Sequence, residues 1–112
     1  MKLNEIKKSK AFTAPDVIEY VPHTIVSKVI LKKLTGNISV AALDSGEGFT
    51  KSTSPFDTFV QIIDGKAEIL IDEKSHLLET GQSIVIPAHS SNAIKANIRF
   101  KMISTVIKSG YE

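Results

Sequence analysis

Two glycine-framed stretches, GEGFTKSTSPFDTFVQIIDG (residues 46–65) and GQSIVIPAHSSN (residues 81–92), decide how this chain folds. Both are short β-branched and aromatic runs closed by turn-forming residues, the pattern of strands rather than helices. Within the first, residues 59–63 and 66–71 flank Asp64-Gly65, a dipeptide that signals a two-residue hairpin. Side chains on a strand alternate between faces, so the pattern also gives direction. Along residues 66–72, Ala67, Ile69 and Ile71 take one face, and Lys66, Glu68, Leu70 and Asp72 take the other. The apolar set faces inward. Counting by twos, Thr58 shares the inward face of Val60 and Ile62, and Asn92 shares that of Ile94 and Ala96.

Working outward, the same texture continues. Residues 26–34 form a strand ended by Thr35-Gly36-Asn37, and residues 38–43 a second ended by Asp44-Ser45-Gly46. Further strands are expected over residues 75–78, 83–86, 92–96 and 98–107. Residues 5–10 read as a turn or frayed helix, with too mixed a set of charges to present an apolar face. Eight or more short strands with no strand–helix alternation predict an all-β antiparallel barrel or jelly roll.

The frames resemble the two sequence motifs of the cupin family. There, the first motif carries His-x-His, then Glu, then a glycine, and the second carries Gly, Pro, Gly and His at fixed spacing. Gly46, Gly65, Gly81 and Pro87 fall at pattern spacing, and the similarity extends over residues 26–107. It implies a cupin-type double-stranded β-helix preceded by an irregular or partly helical arm (residues 1–25) and followed by a tail (residues 108–112). It also implies a homodimer formed through sheet packing and exchanged N-terminal segments, with residues 11–20 suited to the exchange. The departure lies at the ligands. The family's metal positions fall on Ser52, Ser54, Thr58 and Asn92, and His89 stands at the turn glycine.

That departure governs the chemistry. A transition-metal site needs imidazoles and usually a carboxylate, whereas three hydroxyls and a carboxamide are weak donors. No metal and no other cofactor is therefore expected. The remaining titratable candidates are His89 and Asp57, a possible base and its partner, with Glu47 as an alternative partner. Asp57, at a loop-to-strand junction, better suits turn capping. His89 better suits an exposed loop. His23 and His76 read as surface residues, and no two histidines show metal-ligand spacing.

Composition narrows the partners. The 112 residues are a single-domain length, with 42% hydrophobic and 23% charged residues, close to globular averages. A formal net charge of +2 gives no basic field for nucleic acid or an anionic membrane. The chain has no cysteine, which removes disulfides and thiolate chemistry and suits a reducing cytoplasm. No apolar run approaches the ~20 residues that span a bilayer, and no signal-peptide pattern follows the basic start. Phosphate-binding glycine loops, zinc-protease and serine-hydrolase motifs are missing from the sequence. The leading expectation is a metal-free module binding a small polar ligand through Ser52, Ser54, Thr58, Asn92 and His89. The alternatives are a degenerate barrel acting as a structural or protein-interaction dimer, and a metal-independent sugar or keto-acid isomerase or epimerase using His89.

Overall fold

The computed structural model of the chain describes residues 6–111. Among them, a 3-10 turn at Ala14–Asp16 precedes eight strands: β1 (Ile25–Lys33), β2 (Gly36–Leu43), β3 (Gly48–Thr53), β4 (Asp57–Ile71), β5 (Lys74–Glu79), β6 (Ser83–Ile86), β7 (Ser91–Lys95) and β8 (Phe100–Ile107). Every pairing is antiparallel. One curled sheet runs β1-β2-β8-β4-β6 and the facing one runs β3-β7-β4-β5, so β4 belongs to both. The result is the expected all-β cupin-type barrel.

The shared strand corrects one expectation. Asp64-Gly65 does not turn a hairpin; β4 runs through it for 15 residues. Its first part pairs with β6 and β8, and from Lys66 onward it pairs with β5 and β7. Partners wait on both sides, so the chain has no need to reverse. The register against β8 slips between Ile62 and Asp64, which marks a bulge. One extra residue moves the inward set from even to odd numbers: Val60 and Ile62 before it, Ala67 and Ile69 after it, all at 3% exposure or less. Gly65 takes φ +82, and a Cβ there would drive into the Arg99 carbonyl oxygen and come within 2.9 Å of Phe100 Cα. Only glycine fits at this bend.

The true hairpin lies at Asp72-Glu73, between β4 and β5, where both residues adopt positive φ (49° and 68°). Such a turn favours Asn-Gly, so two acidic residues here need support. Asp72 has it: its N–H donates to the Ser91 carbonyl at 2.7 Å, and its Oδ1 accepts from the Ser91 N–H at 2.9 Å. Strand β3 pairs with β7 at the edge of its sheet and is exposed along its length.

Two apolar layers result. Between the sheets, Leu43, Val60, Ile62, Ile69 and Phe100 are almost wholly buried. Each such side chain contributes about 1.5–3 kcal/mol by leaving water. On the outer face of the larger sheet, Ile18 of the N-terminal arm packs over Val40 and Ala42, with Tyr20, Ile30 and Ile103 around them. The Tyr20 hydroxyl donates to Asp64 Oδ2 at 2.5 Å, and Arg99 and Lys101 stand 4.5 and 4.9 Å from the centre of its ring. Burial, reinforced by the bond to Asp64, holds the Tyr20 phenol well above its ordinary value. Lys101 also donates to the Pro15 carbonyl at 2.6 Å. In the single chain the arm thus lies on its own sheet. Of the turn expected over residues 5–10, Glu5 lies outside the described residues, and the remainder forms a turn at Lys8-Ser9 without helix.

Gly65→Ala should cost more than about 2 kcal/mol, combining backbone strain with a clash that nothing nearby relieves. Gly81→Ala, also at positive φ (+93) but with open space around the new methyl, should cost less. Chemical denaturation of the two variants checks this, and equal midpoints would contradict the bend assigned to Gly65.

Candidate functional site

The inward faces of both sheets meet in a cavity of about 150 Å³. Ser52 and Asn92 are direct partners across β3 and β7, and enter it from the smaller sheet. Thr58 on β4 and Ser104 on β8 enter from the larger one, and Ser54 comes from the loop between β3 and β4. Val60, Ile86, Ile94 and Met102 supply apolar wall, and Phe56 and Pro87 stand at the rim. The four positions therefore converge: strand alternation pointed Thr58 and Asn92 inward, and the family spacing gave Ser52 and Ser54. Ser104 and Met102 escaped that reading, although the same period of two from buried Phe100 points both inward.

The polar groups differ in how far they are already engaged. Ser54 Oγ accepts from the Phe56 N–H at 3.2 Å, and Ser104 Oγ lies 3.4 Å from Ser39 Oγ. Among the described residues, the side chains of Ser52, Thr58 and Asn92 make no hydrogen bond to protein. None of the cavity's polar side-chain atoms is sealed away from solvent without a partner. Ser52 is exposed and Thr58 and Asn92 are half-buried, so their donors and acceptors are open to solvent or to a molecule in the cavity. No acidic, basic or histidine side chain lines it.

This donor set does not fit the divalent metal that such barrels usually hold. Neutral hydroxyls and one carboxamide lack the imidazole and carboxylate donors that transition metals select. Among the described residues, no three His, Asp or Glu side chains come together as a candidate ligand group.

His89 is not part of the cavity lining. It sits exposed in the β6–β7 loop with φ 68, the left-handed conformation that glycine would take there. Its N–H donates to the Ser54 carbonyl at 2.6 Å. Asp57 is half-buried, and its carboxylate accepts from the Ala88 N–H at 2.8 Å and from the Tyr111 hydroxyl at 3.2 Å. That is a loop-capping arrangement, and no hydrogen bond joins Asp57 to the His89 ring among the described residues. Glu47 bonds through its backbone with Ala96, beyond the far end of β7. Seven residues of chain at about 3.3 Å each place it roughly 20 Å from His89. His23 occupies an exposed turn, and its N–H donates to Asp44 Oδ2 at 2.8 Å. That bond, with another from the Ser45 backbone, holds the Asp44 carboxyl below its ordinary value. His76 pairs with Ile69 on β5, which gives it a half-buried place on the inner side of an edge strand.

Wider but open grooves lie elsewhere, one of about 340 Å³ along residues 46–50 and 93–97. The smaller cavity is the candidate site because polar groups from both sheets converge there within an apolar wall.

No protein-family model matches the chain, and no curated protein sequence does. Solved structures do. A conserved protein of unknown function from Streptococcus pyogenes is 29% identical over 99% of this chain and 97% of that one, with a TM-score of 0.90. A cupin 2 conserved barrel domain protein from Leptotrichia buccalis is 30% identical over 87% of this chain, with a TM-score of 0.84. The match spans 47% of that longer protein. A cupin superfamily protein from Desulfitobacterium hafniense superposes over 97% of this chain and 100% of its own length, at 23% identity and a TM-score of 0.87. Frame spacing, strand register and these likenesses show that the chain folds as a cupin-type barrel, with Ser52, Ser54, Thr58 and Asn92 at the positions where the resemblance puts metal ligands.

Proposed function

We propose that this cupin domain binds a small, uncharged, polar molecule inside the barrel without a metal. The observation that carries this reading is the free hydrogen-bonding capacity of Ser52, Thr58 and Asn92, brought from two sheets to one cavity. The neutral lining selects against carboxylates and phosphates, which would give up hydration without a counter-charge. At about 150 Å³ the space is below the usual range for drug-sized ligands and suits a short polyol or amide. A cytoplasmic setting belongs to the same reading, supported by the lack of cysteine.

A thermal-shift screen with divalent metals and neutral metabolites tests the proposal, because a ligand of the folded state stabilises by mass action. At a hundred times its dissociation constant, a ligand adds about 2.7 kcal/mol. The stabilising compounds should be uncharged, and Asn92→Leu with Thr58→Val should abolish their effect while leaving the protein folded. Stabilisation by a metal alone, or by no small molecule at all, contradicts the reading.

A homodimer is a second element, favoured by one surface. Phe59 and Val85 are direct partners on the outer face of the larger sheet and are 41% and 56% exposed. Ile107, 52% exposed, lies two residues beyond Thr105, the partner of Phe59 on β8. The arm covers Val40 and Ala42 on the same sheet but leaves this band open. A second copy seated on the band would remove it from water. Sedimentation equilibrium should give twice the chain mass for the natural protein and the single mass for Phe59→Glu; a monomeric natural protein contradicts the dimer.

A further inference from the structure

The C-terminal tail crosses the rim of the cavity. β8 ends at Ile107, and the Lys108 N–H then donates to the Thr35 carbonyl at 2.7 Å. Gly110, at φ +88, turns the chain so that Tyr111 reaches the loop between β3 and β4. There its hydroxyl makes two bonds with one residue. It accepts from the Asp57 N–H at 2.6 Å and donates to Asp57 Oδ2 at 3.2 Å. The Tyr111 ring lies 5.9 Å from that of Phe56, tilted by 55°. Phe56 is itself cavity wall, and the Lys108 ammonium stands 5.9 Å from the centre of its ring.

Asp57 is the joint between this tail and the second rim loop. Its other oxygen, Oδ1, accepts from the Ala88 N–H at 2.8 Å. Next along, the His89 N–H donates to the Ser54 carbonyl at 2.6 Å. Ser54, Phe56 and Pro87 all line the cavity, so these bonds fix the distance between its two lips. Tyr111 orients the carboxylate that makes one of them. A hydrogen bond to a charged group is worth more than one between neutral groups, which makes the Asp57 carboxylate a strong point of attachment.

We infer that residues 108–111 form a clasp on the mouth of the barrel, in which Tyr111 holds the two rim loops together through Asp57 and Phe56. Engaged, they narrow the mouth; released, the loops separate and the cavity widens. As control of ligand entry this rests on the cavity being the binding site, whereas the clasp itself stands on its own geometry. Tyr111 is a positioning residue here, since it touches the walls and not the interior.

Amide hydrogen exchange by NMR, with no ligand present, tests the clasp on the full chain. Tyr111→Phe keeps the ring against Phe56 and removes both hydroxyl bonds. In this variant the Ala88 and His89 amides should exchange at least tenfold faster than in the natural protein, while the Val40 and Met102 amides in the sheet core keep their rates. The Asn92 side-chain amide should also relax faster in the presence of a neutral gadolinium chelate in solution. Unchanged exchange at Ala88 and His89, or an equal acceleration everywhere, overturns the clasp. Faster loop exchange with no change at Asn92 overturns its control of the opening. Since no ligand is used, failure of the clasp leaves the binding proposal standing, and an empty ligand screen leaves the clasp standing.

Discussion

A single bent strand holds this barrel together. β4 serves as a central strand twice, first between β6 and β8 and then between β5 and β7, and the change happens at the bulge before Gly65. The close approach of the Arg99 and Phe100 backbone lets the strand stay paired while it changes sheets. The rest of the inner geometry follows. Residues before the bend project from one sheet and those after it from the other, so Val60, Ile62, Ala67 and Ile69 share one core. Thr58, two residues outward from Val60, is carried to the mouth and faces Asn92 across the barrel. The site is a consequence of where the chain bends.

What occupies that site is set by chemistry the bend does not dictate. A barrel of this kind brings several side chains to one point whatever they are. Here they are hydroxyls and a carboxamide within Val, Ile, Met and Phe surroundings. Ser52, Thr58 and Asn92 remain open to solvent, so their unpaired groups carry no burial penalty. At the rim, the Asp57 carboxylate, the Ala88 and His89 N–H groups and the Tyr111 hydroxyl make the bonds that join the two loops. The aromatic pair of Phe56 and Tyr111 then joins the cavity wall to the end of the chain.

Much of this was legible in the sequence, because strand alternation is a local property. The inward direction of Thr58, Val60, Asn92 and Ile94 needs only a count by twos, and the glycine spacing of the frames is visible by inspection. The bulge was also written there, in the change of the apolar set from even to odd positions. It was hidden by the hairpin habit of Asp-Gly, since a dipeptide cannot say whether partners lie on both sides. The reverse held at Asp72-Glu73, which lacks glycine and turns because Ser91 supports it from β7. The role of Tyr111 was beyond reach for the same reason: its contact is with a residue 54 positions away. Non-local hydrogen bonds leave no periodic trace.

Two chemistries compete for the substituted positions, a receptor for a neutral molecule and a disguised metal centre. The most direct measurement follows the Asn92 side-chain amide and the Thr58 methyl by NMR during titration, first with a short uncharged polyol such as erythritol and then with zinc. The account predicts saturable shifts of both groups, with neighbours on β3 and β8, on adding the polyol, and none on adding one equivalent of zinc. Shifts at Asn92 and Thr58 that saturate at one equivalent of zinc, with the polyol inert, would contradict it.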